Sequence, residues 1–225
     1  MNASLSFVIP ALNEAENIAP LLRDLRARYP EAQLLVVDGE SNDQTRAAAR
    51  PHCDQLLQSA PGRALQMNVG ARAATGDYVF FLHADSSPDV PVARLMLYLS
   101  RLPVWGFCPV QLSGDAPAFR VIEWFISWRS RLTRIATGDQ MLFVRRELFL
   151  ALGGYDAIPL MEDVALCKRL RHIADPLVLS EPVHTSSRRW ERRGVTRTVL
   201  EMWALRLAYF AGVSPARLWR YYYGS

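Results

Sequence analysis

The chain has 225 residues, half of them hydrophobic and 21% charged, which excludes global disorder and provides for a sizeable core. Lys plus Arg number 26 against 22 Asp plus Glu, a net charge of +4. That balance suits an anionic ligand or a membrane surface and is too diffuse to argue for nucleic acid. Cys53, Cys108 and Cys167 stand far apart without a C-x-x-C pair, which reads as reduced thiols in a cytoplasmic protein and not as a disulfide framework or zinc site. No basic-then-apolar leader opens the sequence, and no apolar run reaches the roughly 18 residues that cross a bilayer. Neither secretion nor a membrane span is therefore expected.

Leu5–Pro10 is a short apolar run bounded by proline and predicts a buried strand. Asn13 with Glu16 three residues later has capping-box spacing, and predicts a helix to about Tyr29 with Ile18, Leu21, Leu22 and Leu25 on its apolar face. Gln33–Asp38 predicts a second buried strand that ends in a carboxylate. Ser41–Asp43 cap a helix stopped near Pro51, and Asp54–Gln58 predicts a third strand. Gly62 opens a turn into a helix over Ala64–Ala74, with Gly76 expected as its left-handed stop. Tyr78–Leu82 predicts a fourth strand that runs into His83, Ala84 and Asp85. Val104–Leu112 predicts one further strand, Phe119–Ile135 a helix, and Met141–Arg145 another strand. Gly153 and Gly154 then lead through a loop to a helix from Glu162. From about Gly194 to Ala211 the pattern is helical, with Val199, Leu200, Trp203, Leu207 and Phe210 on one face.

Apolar strands alternating with helices imply an α/β fold: a mostly parallel central sheet flanked by helices, with ligands at the strand C-terminal ends. Without a repeat or linker, one domain over residues 1–225 is expected. The first turn, Pro10–Glu14, lacks the glycines of a dinucleotide-binding fold or a P-loop, which removes those two readings. What stands at strand ends is acid: Glu14, Asp38, Asp85 and later Asp163. Such carboxylates would repel a diphosphate unless an oxygen-ligated Mg²⁺ or Mn²⁺ intervened.

At these residues the sequence resembles the family 2 glycosyltransferases, which have the GT-A fold. S-F-V-I-P-A-L-N-E is similar to the family's opening strand and turn. V-V-D-G-E-S-N-D-Q-T resembles its V-V-D-D-G-S-x-D-x-T, with Gly39 where a second Asp is common. Gly62 through Gly76-Asp77 is similar to its nucleotide-side helix. F-L-H-A-D resembles the D-x-D strand end, with His83 in place of the first Asp. G-D-Q-M-L-F-V-R-R, G-G-Y-D and M-E-D-V-A-L-C-K-R-L resemble the acceptor-side strand and E-D helix. The resemblance covers about residues 4–172. The tail motif S-S-R-R-W-E-R-R-G is similar to a small cytosolic subgroup associated with arsenosugar biosynthesis.

The resemblance implies an inverting, metal-dependent transferase that moves sugar from a nucleotide-diphospho donor, UDP-linked for preference, to a hydroxyl acceptor. Residues 1–100 would form the nucleotide half, 101–190 the acceptor half and 191–225 a helical tail. Pro10, Ala11, Leu12 and Glu14 would line the nucleoside pocket, and Asp38 would accept a hydrogen bond from the base. Arg63 would lie near base or phosphates, with Ala84 and Asp85 at the diphosphate and Asp85 as metal ligand. Asp163 is the expected general base and Glu162 its orienting neighbour, while Asp139 and Gln140 would face sugar or acceptor. Each acid has a plainer reading as a turn residue, a first-turn helix charge or a cap.

His83 and His184 are further candidates for the metal, though a lone His is as readily a hydrogen-bonded structural residue. After His184 comes Thr185–Trp190, where Arg forks and a stacking ring suit phosphate and sugar. Arg189 and Trp190 are thus expected on the donor, in a segment that closes over it, or else Arg188 and Arg189 form a solvated charge run. Trp124 and Trp128 are expected in the core or in the acceptor-pocket wall. With the basic tail and Tyr221–Tyr223 they could instead rest on a bilayer. Two other activities fit the same residues. One is transfer to a polyprenyl phosphate at the membrane face, and the other is a nucleotide-sugar binder without turnover. The expected partners are the donor and a small-molecule or lipid-linked acceptor, not nucleic acid.

Overall fold

The computed structural model describes residues 3–187 and 194–224. From the N-terminus the elements are β1 (Leu5–Ala11), α1 (Ile18–Arg28), β2 (Gln33–Asp38), α2 (Thr45–Ala49), β3 (Gln55–Gln58), α3 (Arg63–Ala73) and β4 (Tyr78–Phe81). There follow β5 (Ser86–Pro88), α4 (Val92–Leu99), β6 (Trp105–Phe107), β7 (Val110–Leu112) and α5 (Pro117–Thr133). After a 3-10 turn over Gly138–Gln140 come β8 (Phe143–Arg145), α6 (Arg146–Ala151), α7 (Glu162–Leu170), β9 (Leu177–Val178) and β10 (Val183–Thr185). Two helices, α8 (Val195–Phe210) and α9 (Pro215–Tyr223), complete the chain.

Seven strands form a sheet in the order β3-β2-β1-β4-β8-β6-β9, and β5, β10 and β7 form a second, smaller one. The first four strands pair parallel, and β8 runs antiparallel to both β4 and β6. β1 is buried along its whole length. Alternation sends Phe7, Ile9 and Ala11 into one core and Val8 into another on the far side. A strand without a polar face needs helices on both sides. α1 covers the first core with Ile18, Leu21, Leu22 and Leu25, and α3 covers the second with Ala64, Met67 and Ala71. Phe7, Phe80 and Phe143 stand opposite one another on β1, β4 and β8, with successive ring centroids 5.1 Å apart. That ladder ties the antiparallel β8 to the parallel half.

Three sequence expectations change. Val104–Leu112 is not one strand: β6 joins the large sheet and β7 the small one. The break falls at Cys108-Pro109, where the Pro109 carbonyl accepts the Val183 N–H at 2.9 Å, so the chain leaves one sheet for the other. Asn13 does not cap α1, which begins only at Ile18. Its backbone is left-handed, with φ of 56°, and its Oδ1 accepts the Asn42 N–H at 3.0 Å instead. Gly76 is not a left-handed stop either. A Cβ there would lie 2.7 Å from the Leu5 carbonyl carbon, so the residue is small to let α3 return closely past β1.

Candidate active site

The strand ends meet in a cavity of about 960 Å³. Its walls bring together residues from the turn after β1 (Asn13–Asn17), from α3 (Arg63), from the turn after β4 (His83, Asp85) and from α7 (Glu162, Asp163). Asp139 lies on the same wall, beside Thr137 and Gly138.

The turn after β1 is built by neighbouring hydroxyls. Ser41 Oγ accepts the Asn13 N–H at 3.0 Å and Thr45 Oγ1 accepts the Glu14 N–H at 2.7 Å. The Glu14 carboxylate accepts from Asn17 Nδ2 at 2.6 Å and remains on the cavity wall. Behind the strand ends, Gln66 Nε2 donates to the carbonyls of Ala11 and Val37, both at 2.8 Å, and fixes β1 against β2. A Cβ at position 39 would stand 2.9 Å from that amide, which accounts for Gly39 where an acid is common. Gln66 was not foreseen: a single glutamine on a helix of small residues gives no sequence signal.

Asp38, the last residue of β2, is fully buried. Its Oδ2 accepts the Ser41 N–H at 3.1 Å and lies 3.8 Å from Arg46 Nε. Its Oδ1 is buried and has no hydrogen-bond partner among the described residues. Asp38 does not line the cavity, so in this structure it holds the Ser41 turn and does not present an oxygen to a base there, contrary to the sequence expectation.

The acid pair sits at the start of α7, entered through Met161 in a left-handed conformation, φ 68°. Asp163 Oδ2 accepts the Gly138 N–H at 2.9 Å, and Oδ1 accepts the Val164 N–H at 2.7 Å. Burial raises the pKa of Asp163 in spite of those two donors. Burial, and then the charge of Asp163, push Glu162 up to about 7, with Arg63 acting in the opposite direction. Arg63 stays exposed on the cavity wall; partial loss of its hydration there works to lower its pKa, but Tyr223, Glu162, Asp163 and Asp85 hold it above its ordinary value. The pair and Arg63 thus form one electrostatic unit.

Ser86, next to Asp85, faces Thr185 across the small sheet with the two hydroxyls 3.1 Å apart. This pairing anchors the turn that carries Asp85. His83 packs against Gly138, where a Cβ would lie 2.7 Å from Nε2.

Several expected residues are not brought to the cavity wall. Pro10 and Ala11 are buried in β1, Ala84 is buried and Leu12 is exposed. Gln140 is fully buried, with Oε1 accepting from Ser130 Oγ at 2.8 Å and from the Thr137 N–H at 3.0 Å, so it shapes the turn that holds Asp139. His184 lies between Val183 and Thr185 on β10, and alternation turns its ring away from their buried face. It is exposed, with Nε2 3.8 Å from Asp89 Oδ2. Arg188, Arg189 and Trp190 lie outside the described residues. Other tail residues do reach the site: Met202, Leu205 and Arg206 from α8, and Tyr222 and Tyr223 from α9. They were not foreseen as site residues, because their approach depends on the docking of Leu218 and Tyr222 on Leu205, Leu160 and Met161.

Among the described residues no three His, Cys, Asp or Glu side chains are grouped so as to hold a metal ion. A cage made by protein alone is therefore not built. Mg²⁺ and Mn²⁺ need no such cage, since one or two protein ligands with substrate phosphates and water suffice. Asp85 and His83 on one wall fit that arrangement.

Residues 6–144 match the family described as Glycosyl transferase family 2. None of the curated proteins matches the chain in sequence. Among solved structures, S. aureus TarS residues 1–349 in complex with UDP superposes with a TM-score of 0.64 at 17% identity over 81% of this chain. The mannosyltransferase PcManGT from Pyrobaculum calidifontis, in complex with GDP-Man and Mn²⁺, gives 0.61 at 22% identity over 83%. The chain spans 60% and 57% of those two proteins, respectively. At such identities the likeness is one of fold.

Proposed function

The chain belongs to glycosyl transferase family 2 and has the GT-A fold, and on that premise we propose that it moves a sugar from a nucleotide-diphospho donor to a hydroxyl acceptor with inversion. One observation carries the reading. The Asp163 carboxylate, aimed by two backbone N–H groups, faces the same cavity as Asp85, His83 and Arg63. A base and a diphosphate site thereby share one open cleft.

In the proposed reaction the acceptor oxygen attacks the anomeric carbon while Asp163 takes its proton. The bond from that carbon to the diphosphate oxygen breaks on the opposite face. A carboxylate with a raised pKa suits a base working near neutral pH. Glu162 stands beside Asp163 as its orienting neighbour, and after burial the charge of Asp139 adds to the raised pKa of Asp163. Arg63 lies where it can balance the leaving diphosphate, whereas Asp38, expected at the base, is fully buried and off the cavity wall. Mg²⁺ or Mn²⁺, held by Asp85 with His83 beside it, would supply positive charge to the diphosphate. The complexes of the two similar proteins with UDP and with GDP-Man and Mn²⁺ support a nucleotide donor and a metal, and the proposed donor is UDP-linked. Division into a nucleotide half and an acceptor half, cytoplasmic location and membership of the arsenosugar-associated subgroup belong to the same proposal.

Release of nucleoside diphosphate from a panel of nucleotide sugars, dependent on an added hydroxyl acceptor, tests this reading. Binding without release would leave a nucleotide-sugar binding protein.

A further inference from the structure

Two helices beside the cavity turn apolar stripes outward. Val121, Trp124, Trp128 and Leu132 recur at helical spacing on α5, and Leu200, Trp203, Leu207 and Phe210 on α8. All eight are between 48% and 67% exposed. This corrects the expectation that Trp124 and Trp128 lie in the core or in the pocket wall. The stripes are continuous: Trp124 stacks on Trp128 at 6.0 Å, and the Phe125 ring meets Trp203 at 5.4 Å. The inner faces of the same helices are already occupied, Phe119 and Ile122 packing with Val199 and Met202. The outer stripes are thus a second apolar face of a size that needs a partner.

Charge selects the partner. Of the seven arginines on α5, α8 and α9, Arg206 lines the cavity and Arg129 is half-buried, which leaves five exposed, while neither glutamate of these helices is exposed and they hold no aspartate. Arg131, Arg197, Arg217 and Arg220 are exposed, and Trp219 and Tyr221 stand out from α9. Trp and Tyr rings among arginines around an aliphatic stripe are what a headgroup layer accepts. No helix among the described residues is long and apolar enough to cross a membrane. A second copy is disfavoured, because the same face would bring two arginine-rich surfaces together.

We infer that the α5–α8–α9 face docks on the headgroup layer of an anionic lipid bilayer. The inner sides of α8 and α9 supply Met202, Leu205, Arg206, Tyr222 and Tyr223 to the cavity. A docked bilayer therefore lies about one helix diameter, roughly 10 Å, from the site. An acceptor presented at the membrane surface would reach the cavity across that distance. This goes beyond the proposed transfer and does not depend on the donor.

Sedimentation with phosphatidylcholine vesicles, with and without phosphatidylglycerol, tests the inference on the full chain and needs no sugar donor. A failure here would leave the transfer chemistry untouched. The chain should sediment with the anionic vesicles, and salt should weaken the binding. Trp124→Gln/Trp128→Gln/Leu207→Gln and Arg131→Gln/Arg217→Gln/Arg220→Gln should each lower partitioning by at least about tenfold, with an unchanged melting temperature. On the unaltered chain, brominated acyl chains should quench tryptophan fluorescence, a readout that stands even if the variants fold poorly. Absence of binding and quenching, equal binding by folded variants, or self-association that these substitutions abolish would overturn it.

Discussion

Asp163 and Gly138, twenty-five residues apart, are joined by a 2.9 Å hydrogen bond from the Gly138 N–H to the Asp163 carboxylate, and Gly138 also receives the His83 ring against its bare Cα. One residue therefore sets both the proposed base and a histidine of the proposed metal wall. Gly138→Ala places a methyl 2.7 Å from His83 Nε2, so the ring or the turn must move. Since a displacement of about 1 Å can cost roughly 10²-fold in rate, turnover should fall by about that factor. The melting temperature should change little, which steady-state rates and a thermal melt on the same sample would show.

Glu162 makes the ligand-free protein less stable as pH rises. Its pKa in the fold is about 7 against an ordinary 4.5, so between these values the folded state keeps a proton that the unfolded state has lost. Stability is full below about 4.5 and falls until about 7 is passed. Glu162→Gln cannot ionise and should remove the Glu162 share of that slope, leaving the share of Asp163. Above pH 7 the variant should be more stable than the parent. Urea titrations across the pH range would show the two curves parting in that window. The raised pKa of Asp163 likewise predicts that turnover falls as acid protonates it.

The proposed metal dependence rests on the crowding of Glu14, Asp85 and Asp163 around one cavity, where a diphosphate would meet net repulsion. A chelator should weaken nucleoside diphosphate binding at least tenfold, about 1.4 kcal/mol. Asp85→Asn should reproduce that loss without a change in fold. Unchanged affinity in isothermal titration would remove the ion from the account.

The loop before α7 is held by Asn68. Its Nδ2 donates to the Tyr155 carbonyl and its Oδ1 accepts the Tyr155 N–H, both at 2.8 Å. Asn68→Leu strands two buried backbone groups and should cost about 3 kcal/mol, at one to a few kcal/mol for each. Gly154 has φ of 77°, and a Cβ there collides with Asn68 Oδ1, so Gly154→Ala should be comparably harmful. Denaturation midpoints of the two variants measure both effects.

The sheet was legible where burial is complete. Leu5–Pro10, Gln33–Asp38 and Tyr78–Leu82 have no polar face to hide, so their apolar runs mark strands directly. Val104–Leu112 misled because only Gln111 interrupts its apolar run, and the Pro109–Val183 pairing, seventy-four residues apart, reveals that it serves two sheets. Asn13 has capping spacing but no helix to cap, since Ser41 and Asn42 claim its backbone and side chain. Glu14, Asp85, Glu162 and Asp163 were legible as acids at element ends, and they share one cavity. Tyr222, Tyr223 and Arg206 were not, because local pattern cannot say where a C-terminal helix docks.

The central claim is that Asp163 removes the acceptor proton. Asp163→Asn keeps the size of the side chain and an acceptor oxygen for Gly138 while abolishing basicity. A positioned base supplies roughly 10²–10⁴ in rate, so turnover with a hydroxyl acceptor should fall by that factor. Donor affinity should hold, since the group acts on the acceptor in the transition state. The decisive measurement is turnover of this variant beside its donor affinity: a loss of that size at unchanged affinity is the predicted result, and near-parental turnover would contradict the account.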